Sequence, residues 1–160
     1  MINELYAIQK DLDDRILKEH NLDADAVLSD RYLAFLVELG ELANETRCFK
    51  FWSLKGPSEK SVILEEFSDV LHFLLSLGLA LDSPHLEFYM EETDRSLTEL
   101  FNSVYNDANI VHNLKSKFVY VRMFNSLMQI ASKLGFSQED VYASYTNKNA
   151  INHQRQDDGY

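Results

Sequence analysis

Two pairs of acidic residues, each pair three positions apart, are the residues of this sequence whose type and spacing best suit chemistry. Glu38 and Glu41 lie in the stretch FLVELGELANE, and Glu66 and Asp69 lie in the stretch ILEEFSDVLHF. A spacing of three places two side chains on the same face of a helix. The neighbouring residues are strongly apolar, and an unpaired carboxylate in an apolar interior is costly or takes up a proton. We therefore expect a cation to neutralise these four groups.

The type of ligand atom indicates which cation this would be. All four candidate ligands are hard carboxylate oxygens, and Cys48, the single cysteine, lies outside both stretches. This donor set favours Mg²⁺, with Mn²⁺ as the alternative, over Zn²⁺. In a chain with 26 acidic residues, however, such pairs also occur on ordinary solvated helix faces. The sequence alone leaves both interpretations open.

The segment between the two pairs combines cations with aromatic side chains. Lys50 and Trp52 lie in the stretch RCFKFWSLKGPSEK, and Gly56-Pro57 predicts a turn there. A phosphate attracts cations, and a nucleobase stacks on an aromatic face. We expect this loop to handle a phosphorylated substrate, with Lys50 as a phosphate ligand. The alternative is a loop whose aromatic side chains only anchor it to the core.

Three polar residues near the C-terminus share a helix face in the same way. Lys148, Asn152 and Arg155 follow one another at spacings of four and three, which would bring a cation, an amide and a guanidinium together as a phosphate cradle. The surrounding sequence YTNKNAINHQRQDDGY offers no apolar face to bury. We therefore predict that residues 146–160 form a tail that is mobile in the free protein.

The elements that must position these residues are helices. The chain has 160 residues, 46% of them hydrophobic, with only two prolines and five glycines. Long stretches of 3.6-residue periodicity and almost no strict alternation predict one all-α domain over residues 1–160, a bundle of about five to six helices. The expected helices cover about 3–20, 30–49, 59–81, 87–105, 111–134 and 138 onwards, with residues 84–110 as an accessory helical segment and Ser58 and Ser137 as caps. The stretch NDAN at 106–109 predicts a turn, and Leu114 and Phe118 are expected on the apolar face of the helix that follows it.

Composition also excludes several classes of partner. The formal net charge of −11 repels nucleic acids and anionic membranes. One cysteine rules out an intramolecular disulfide and is compatible with a reducing compartment. The charged N-terminal stretch lacks the apolar run of a signal peptide, and the apolar run over residues 67–81 is too short to cross a bilayer. We therefore expect a cytoplasmic protein that binds neither nucleic acid nor membrane.

These motifs together resemble the dimeric all-α dUTPases, a branch of the all-α nucleoside triphosphate pyrophosphohydrolases that also includes the MazG proteins. That superfamily shares the pattern E-x-x-E followed, after a long gap, by E-x-x-D. Three further motifs are more specific to the dUTPases: QKDLD, which begins at Gln9, the aromatic and basic FKFW, and the closing pattern K-x-x-x-N-x-x-R-Q-x-x-G-Y. Together these motifs span nearly the whole chain.

The resemblance implies a fold, a reaction and a set of site residues. It implies an all-α NTP pyrophosphatase-like homodimer that hydrolyses dUTP, and also dUDP, and that releases dUMP and pyrophosphate from dUTP. Water would attack the β-phosphorus, oriented or deprotonated by Glu38 or Glu41, with two or three Mg²⁺ ions on the four carboxylates. The base and sugar would be surrounded by Gln9, Asp13, Trp52 and His72, and the phosphates would be held by Lys148, Asn152 and Arg155.

One position departs from the family pattern. Several members have asparagine where this chain has Asp13, and an ionised acid accepts hydrogen bonds but cannot donate them to a carbonyl. The contact with the base is therefore expected to be rearranged here. Taken without the resemblance, Gln9 and Asp13 are ordinary polar positions of a first helix, and His72 is an ordinary core histidine.

Three other functions remain as alternatives. The first is a related MazG-like enzyme that acts on dCTP or on non-canonical nucleotides with the same metal chemistry. The second is a di-iron carboxylate bundle, although that architecture requires two Glu-x-x-His motifs and this chain offers only Asp69-x-x-His72. The third is a non-catalytic helical interaction protein whose acidic stripes face solvent.

Overall fold

The computed structural model of this chain describes residues 2–83 and 90–159. Within these two ranges the chain forms six α-helices and no β-strand, which confirms the predicted all-α fold. The helices are α1 (Ile2–Glu19), α2 (Leu28–Thr46), α3 (Lys60–Ala80), α4 (Leu97–Leu114), α5 (Lys117–Lys133) and α6 (Gln138–Asp157). None of the helices in the described residues is both long enough and apolar enough to cross a membrane.

Helix α3 is the centre of the bundle. It packs along α2 and also contacts α1, α5 and α6, while α4 packs along α5 and against α2. A helix that is covered on several sides must be apolar on several faces, and α3 meets this requirement with LEEFSDVLHFLLSLGLA. Its buried apolar side chains are Ile63, Phe67, Val70, Leu71, Leu74, Leu75 and Leu77. The acidic residues of α3 are therefore held on a rigid element that several neighbours position.

Gly78 allows two tyrosines to approach the backbone of α3. The hydroxyl groups of Tyr6 and Tyr120 lie 2.7 Å apart, and Tyr120 also donates to the carbonyl oxygen of Leu74 at 2.9 Å. A Cβ atom at position 78 would lie 2.2 Å from the Tyr120 hydroxyl and 2.7 Å from that of Tyr6. A side chain at position 78 would therefore displace the tyrosine pair, of which Tyr120 is fully buried.

We predict that Gly78→Ala destabilises the protein by about 1–3 kcal/mol, because overpacking forces buried side chains off their preferred positions. Thermal or urea unfolding of the free protein measures this change. Gly56→Ala is the matched control, since a Cβ atom there meets nothing within 4 Å. Equal stability of the two variants would show that the tyrosine pair moves away at little cost.

The helices after residue 90 differ from the predicted ones. The predicted helix over 87–105 begins outside the described residues, and the observed helix α4 runs from Leu97 to Leu114, straight through the predicted turn at 106–109. Asp107, within that stretch, is buried and accepts two hydrogen bonds from Arg122 of α5, at 2.8 and 2.5 Å. The pairing of Asp107 with Arg122 thus stabilises a helical conformation in residues 106–109, although their sequence by itself favours a turn. The accessory role of residues 84–110 stays a prediction.

The predicted helix over 111–134 is interrupted at its start. Lys115 adopts a left-handed conformation with φ of 51° and ends α4, and Ser116 accepts a hydrogen bond from the backbone N–H of Val119 and caps α5. The break changes which face points inward. Leu114 and Phe118, predicted as apolar-face residues, are 72% and 76% exposed.

The ends of α2 and α3 also differ from the sequence prediction. Helix α2 follows Val27, which makes no side-chain cap, and stops at Thr46 because Arg47 is left-handed with φ of 56°. Ser58 does not cap α3; its hydroxyl bonds Glu45, and its backbone N–H donates to the Glu45 carbonyl oxygen at 3.0 Å. This contact fastens the end of the intervening loop to α2.

The last helix begins as predicted. Ser137 and Asp140 form a capping box, each side chain accepting from the other residue's backbone N–H. Helix α6 then continues to Asp157, and Arg15 of α1 holds its end by bonding the carbonyl oxygen of His153 at 3.2 Å and the carboxylate of Asp157 at 2.5 Å. Whether residues 146–160 move in the free protein stays a prediction.

Candidate active site

Three of the four predicted metal ligands come together between α2 and α3. Glu38 of α2 and Glu66 and Asp69 of α3 each offer a carboxylate oxygen, and these atoms all lie within 4.8 Å of one another. All three residues are half-buried. Glu41, on the next turn of α2, lies outside this group, but its charge acts on both Glu38 and Glu66. We call Glu38, Glu66 and Asp69 the acidic cluster.

The acidic cluster is electrostatically strained. Burial, followed by the charges of Asp69, Glu41 and Glu66, raises the pKa of Glu38 to about 7. Burial and the charges of Asp69 and Glu41 likewise raise the pKa of Glu66. Negative groups so close together, with limited access to water, disfavour one another's ionised forms. A cation that bound here would relieve this repulsion.

Lys148 of α6 is the cation that the protein itself brings to the cluster. Its Nζ lies 2.7 Å from Asp69 and 3.0 Å from Glu65. Burial raises the pKa of Asp69 and Lys148 opposes that rise. Burial alone would lower the pKa of Lys148, but the hydrogen bonds to Asp69 and Glu65 outweigh it and raise the value. The ammonium group therefore remains charged in a mostly buried position.

The other two residues of the predicted phosphate cradle lie further along α6. Arg155 donates a hydrogen bond to the side-chain oxygen of Asn152 at 3.2 Å, and its charge helps to oppose the rise in the pKa of Asp69. The predicted face of Lys148, Asn152 and Arg155 is therefore helical, and its first and last members act on the acidic cluster. Their binding of phosphate stays a prediction.

The predicted base-binding residues Gln9, Asp13 and His72 form a hydrogen-bonded network that includes α3 one turn after Asp69. The Gln9 side-chain oxygen accepts from Tyr145 at 2.7 Å and pairs with Nδ1 of His72 at 2.7 Å. Its amide nitrogen donates to Asp13 at 2.8 Å. The ring of His72 stacks on Tyr145, with centroids 4.0 Å apart. The resemblance grouped these residues, and the structure brings Gln9 and Asp13 of α1, His72 of α3 and Tyr145 of α6 into contact.

The acid at position 13 suits its surroundings. Besides the Gln9 amide, Asp13 accepts a hydrogen bond from Ser76 at 2.6 Å and pairs with Arg31 at 3.5 Å. An asparagine would turn its amide group toward some of these donors, whereas a carboxylate accepts from all of them. The departure from the family pattern thus has a structural explanation in this chain.

The loop between α2 and α3 keeps its aromatic and basic residues exposed. Trp52 is 66% exposed and makes edge contacts with Phe49 and Phe51. Lys50 bonds Asn44 and lies over the ring of Phe49. These contacts are made within the loop and with α2, so the predicted roles of Trp52 in base binding and of Lys50 in phosphate binding stay predictions.

A second polar depression lies away from these residues. It is a groove of about 420 Å³ between α4 and α5, lined by Arg95, Asn102, Ser103, Asn106, Asp107, Arg122 and Ser126. None of the residues that the sequence predicted for the site lines this groove. The carboxylates, Lys148 and the hydrogen-bonded network are therefore the better candidate for a catalytic centre.

Sequence reasoning missed several residues that support the site. Glu65 holds Lys148, Tyr145 bonds Gln9 and stacks on His72, and Arg31 and Ser76 satisfy Asp13. Only Glu65 carried a local signal, because it directly precedes Glu66 in the apolar stretch. The other residues depend on contacts between helices, which spacing along one helix cannot predict.

The donor set fits a hard divalent cation. The oxygens of the cluster belong to half-buried carboxylates that converge within 4.8 Å, and carboxylate oxygens are the ligands that hard divalent cations prefer. Among the described residues the group of converging ligand atoms contains Glu38, Glu66 and Asp69 but not His72, so the di-iron alternative gains no support. The arrangement can hold a cation at one end and an uncharged, hydrogen-bonding group at the other.

Comparison with known proteins agrees with this chemistry. A family described as dUTPase matches residues 1–160, the whole chain. No curated protein sequence matches the chain closely enough to be counted as a relative.

Proposed function

This chain belongs to the dUTPase family and is therefore a hydrolase that acts on dUTP, and we propose that it converts dUTP to dUMP and pyrophosphate with Mg²⁺ held by its carboxylates. The observation that carries the proposal is the half-buried acidic cluster of Glu38, Glu66 and Asp69, whose oxygens converge within 4.8 Å. The non-catalytic alternative is set aside by membership of the family. Hydrolysis of dUDP follows from the same chemistry.

Each carboxylate has a distinct task in the proposed reaction. Two or three divalent cations would be held by Glu66 and Asp69 of α3 together with Glu38 and Glu41 of α2. When bound, the cations would neutralise charge on the triphosphate and lower the pKa of the attacking water. Glu38 or Glu41 would orient that water or take its proton. Without a cation, burial and the neighbouring acids raise the pKa of Glu38 to about 7, and bound cations would lower it so that the carboxylate is ionised during the reaction.

The cations of the protein would act on the other side of the triphosphate. Lys148, buried beside Asp69, is placed to neutralise phosphate oxygens, and Arg155 and Asn152 extend that face of α6. A cation that already lies in the site needs no reorganisation when charge develops in the transition state. Lys50 would add a further phosphate contact from the loop.

The base and sugar would lie over the network of Gln9, Asp13 and His72, with Trp52 closing over them from the exposed loop. Gln9 and Asp13 already have internal partners in the free protein. Their part in recognition is therefore to hold His72 in one orientation. A pocket built on hydrogen bonds rejects bases that leave its polar groups unpaired.

The exposed apolar side chains of α2 support a homodimer. Leu33 and Val37 are 59% and 50% exposed and lie one turn apart on the helix that carries Glu38 and Glu41. Large exposed apolar side chains that share a helix face are typical of interfaces. Sedimentation of the wild type and of Val37→Glu would test this part of the proposal.

The function is tested by a hydrolysis screen over dUTP, dUDP, dCTP, dTTP and UTP, with Mg²⁺, with Mn²⁺ and with a chelator. We expect dUTP to have the highest kcat/KM and the chelator to abolish turnover. Phosphorus NMR should show dUMP and pyrophosphate as the products. Faster hydrolysis of dCTP would favour the MazG-like alternative, and turnover that survives chelation would contradict the role of the carboxylates.

Labelled water tests the point of attack. If water attacks the β-phosphorus, hydrolysis in H₂¹⁸O places the label in pyrophosphate and leaves dUMP unlabelled. Mass spectrometry of the two products distinguishes this result from attack on the α-phosphorus, which would label dUMP.

A further inference from the structure

Three buried side-chain atoms have no hydrogen-bond partner among the residues that the structure describes: the Nε2 of His72, the Nδ2 of Asn149 and the Oγ of Ser83. Ser83 lies at the edge of the first described range, whereas His72 and Asn149 lie on the helices of the candidate site. Only 5% of His72 and 7% of Asn149 is exposed. Buried polar atoms are nearly always hydrogen-bonded, because an unpaired one has lost its water without gaining a replacement. Two such atoms beside a candidate active site indicate that a ligand supplies the missing partners.

The two atoms belong to one region of the fold. The ring of His72 on α3 stacks on the ring of Tyr145 on α6. Asn149 follows Tyr145 by four positions and therefore shares its face of the helix. The residue before Asn149 is Lys148, which reaches Asp69 of the acidic cluster. The charge of Lys148 also acts on His72, so the unpaired atoms belong to the same two helices that carry Asp69 and Lys148.

The hydrogen-bonding roles of the two atoms follow from their neighbours. Asp13 accepts and cannot donate, so it fixes the Gln9 amide nitrogen toward itself and leaves the Gln9 oxygen for His72. That oxygen requires a proton on Nδ1 of His72. Burial lowers the pKa of His72 to about 3, so the ring is neutral and its Nε2 is an acceptor. The Nδ2 of Asn149 is a donor.

We propose that Asn149, together with His72, reads the imide edge of uracil. The base N3–H donates to Nε2 of His72, and the carbonyl oxygen beside it accepts from Nδ2 of Asn149. Cytosine presents the reverse order along the same edge, an acceptor at N3 beside an amino donor. Its N3 would face the acceptor Nε2 of His72, and its amino group would face the donor Nδ2 of Asn149, so neither hydrogen bond could form. This inference rests on the proposed function and adds Asn149 as a residue that determines specificity.

The experiment compares Asn149→Asp and Asn149→Ala with the wild type on dUTP, dTTP and dCTP. Asn149→Asp is nearly isosteric and replaces the donor by an acceptor, so we expect kcat/KM for dUTP to fall at least about tenfold and the ratio of dUTP to dCTP turnover to fall with it. The ratio of dUTP to dTTP should stay constant, because thymine has the same imide edge. Asn149→Ala should act mainly on KM and weaken dUMP binding in calorimetry.

A structural role for Asn149 gives different results. In Asn149→Ala the loss of packed volume destabilises the folded protein, whereas removal of an unpaired buried donor stabilises it. Because the two effects oppose each other, the melting temperature of the free protein should stay within ~2 °C of the wild type. Gln154→Ala, an exposed amide on the same helix, is the matched control and should change neither stability nor nucleotide preference. A clear loss of stability with all nucleotides affected equally would assign Asn149 to the scaffold and overturn the proposal.

Two further outcomes would also overturn it. Equal losses on dUTP and dCTP in a stable variant would place Asn149 on the sugar, which both nucleotides share. Unchanged kinetics would remove Asn149 from the site altogether. Failure of the proposed function is a separate result, because it would appear in the wild type as little or no hydrolysis of dUTP, whatever the variants do.

Discussion

Glu38→Gln is expected to abolish dUTP hydrolysis while raising the melting temperature of the metal-free protein. The substitution keeps the shape of the side chain but removes a charge that the proposed metal site needs, so kcat/KM should fall at least about a thousandfold, or roughly 4 kcal/mol of transition-state stabilisation. The same charge is repelled by Asp69, Glu41 and Glu66 in the free protein. Steady-state kinetics and thermal unfolding measure the two effects.

The stability gain should depend on pH in a defined direction. The pKa of Glu38 is raised to about 7 in the folded protein, so the folded state holds a proton that the unfolded chain releases. The wild type therefore loses stability as the pH rises from the ordinary glutamate range through about 7, and a neutral glutamine avoids that loss. The advantage of Glu38→Gln should be clear at pH 8 and should vanish near pH 4.

Asp30→Asn, an exposed acid on the same helix, is the control and should change neither activity nor the effect of Mg²⁺. Addition of Mg²⁺ should raise the melting temperature of the wild type, because the ion binds only the folded state, and should raise that of Glu38→Gln much less. A variant that kept activity within tenfold of the wild type, or that responded fully to Mg²⁺, would contradict the assignment of Glu38 to the metal site.

Lys148→Met is expected to have opposite effects on substrate and on metal. Lys148 neutralises Asp69 in the free protein, and in the proposed reaction it neutralises the triphosphate. Its loss should lower kcat/KM for dUTP by at least about a hundredfold, the scale of losing charged hydrogen bonds. Because the variant leaves the acidic cluster without its internal cation, Mg²⁺ alone should raise the melting temperature more in Lys148→Met than in the wild type.

The control for this prediction is Lys18→Met, which removes an exposed lysine at the end of α1. It should leave both measurements at their wild-type values and so account for the general effect of one lost charge on an acidic protein. A smaller response to Mg²⁺ in Lys148→Met than in the wild type would mean that Lys148 supports the metal site and does not compete with the ion for Asp69.

The sequence determined the features that depend on one helix at a time. The spacing of Glu38 and Glu41, and of Glu66 and Asp69, predicted shared helix faces, and the apolar residues around them predicted that these faces turn inward. The capping box that starts α6 was also readable, because Ser137 and Asp140 meet within a single turn. Such features need no tertiary contact, since backbone geometry alone sets which side chains are neighbours.

Other local signals were overruled by packing. The turn expected at 106–109 became part of α4, where Asp107 pairs with Arg122 across to α5. A break that no pattern indicated at Lys115 turned Leu114 and Phe118 outward. In both places the outcome depended on which helix lies opposite. Intrinsic helix and turn propensities are small compared with the pairing of a buried carboxylate or the packing of a core.

The tertiary structure alone decided how the site is completed. Lys148 and Glu65 are 83 positions apart in the chain, and nothing in their spacing predicts that they meet beside Asp69. Nothing in the sequence predicts that Tyr145 stacks on His72. Nor does it predict that the Nδ2 of Asn149 is buried without a hydrogen-bond partner. The sequence determined which acids share a helix face, because 3.6 residues make a turn; which groups face them across the core was decided by packing, because helices meet through side chains far apart in the chain.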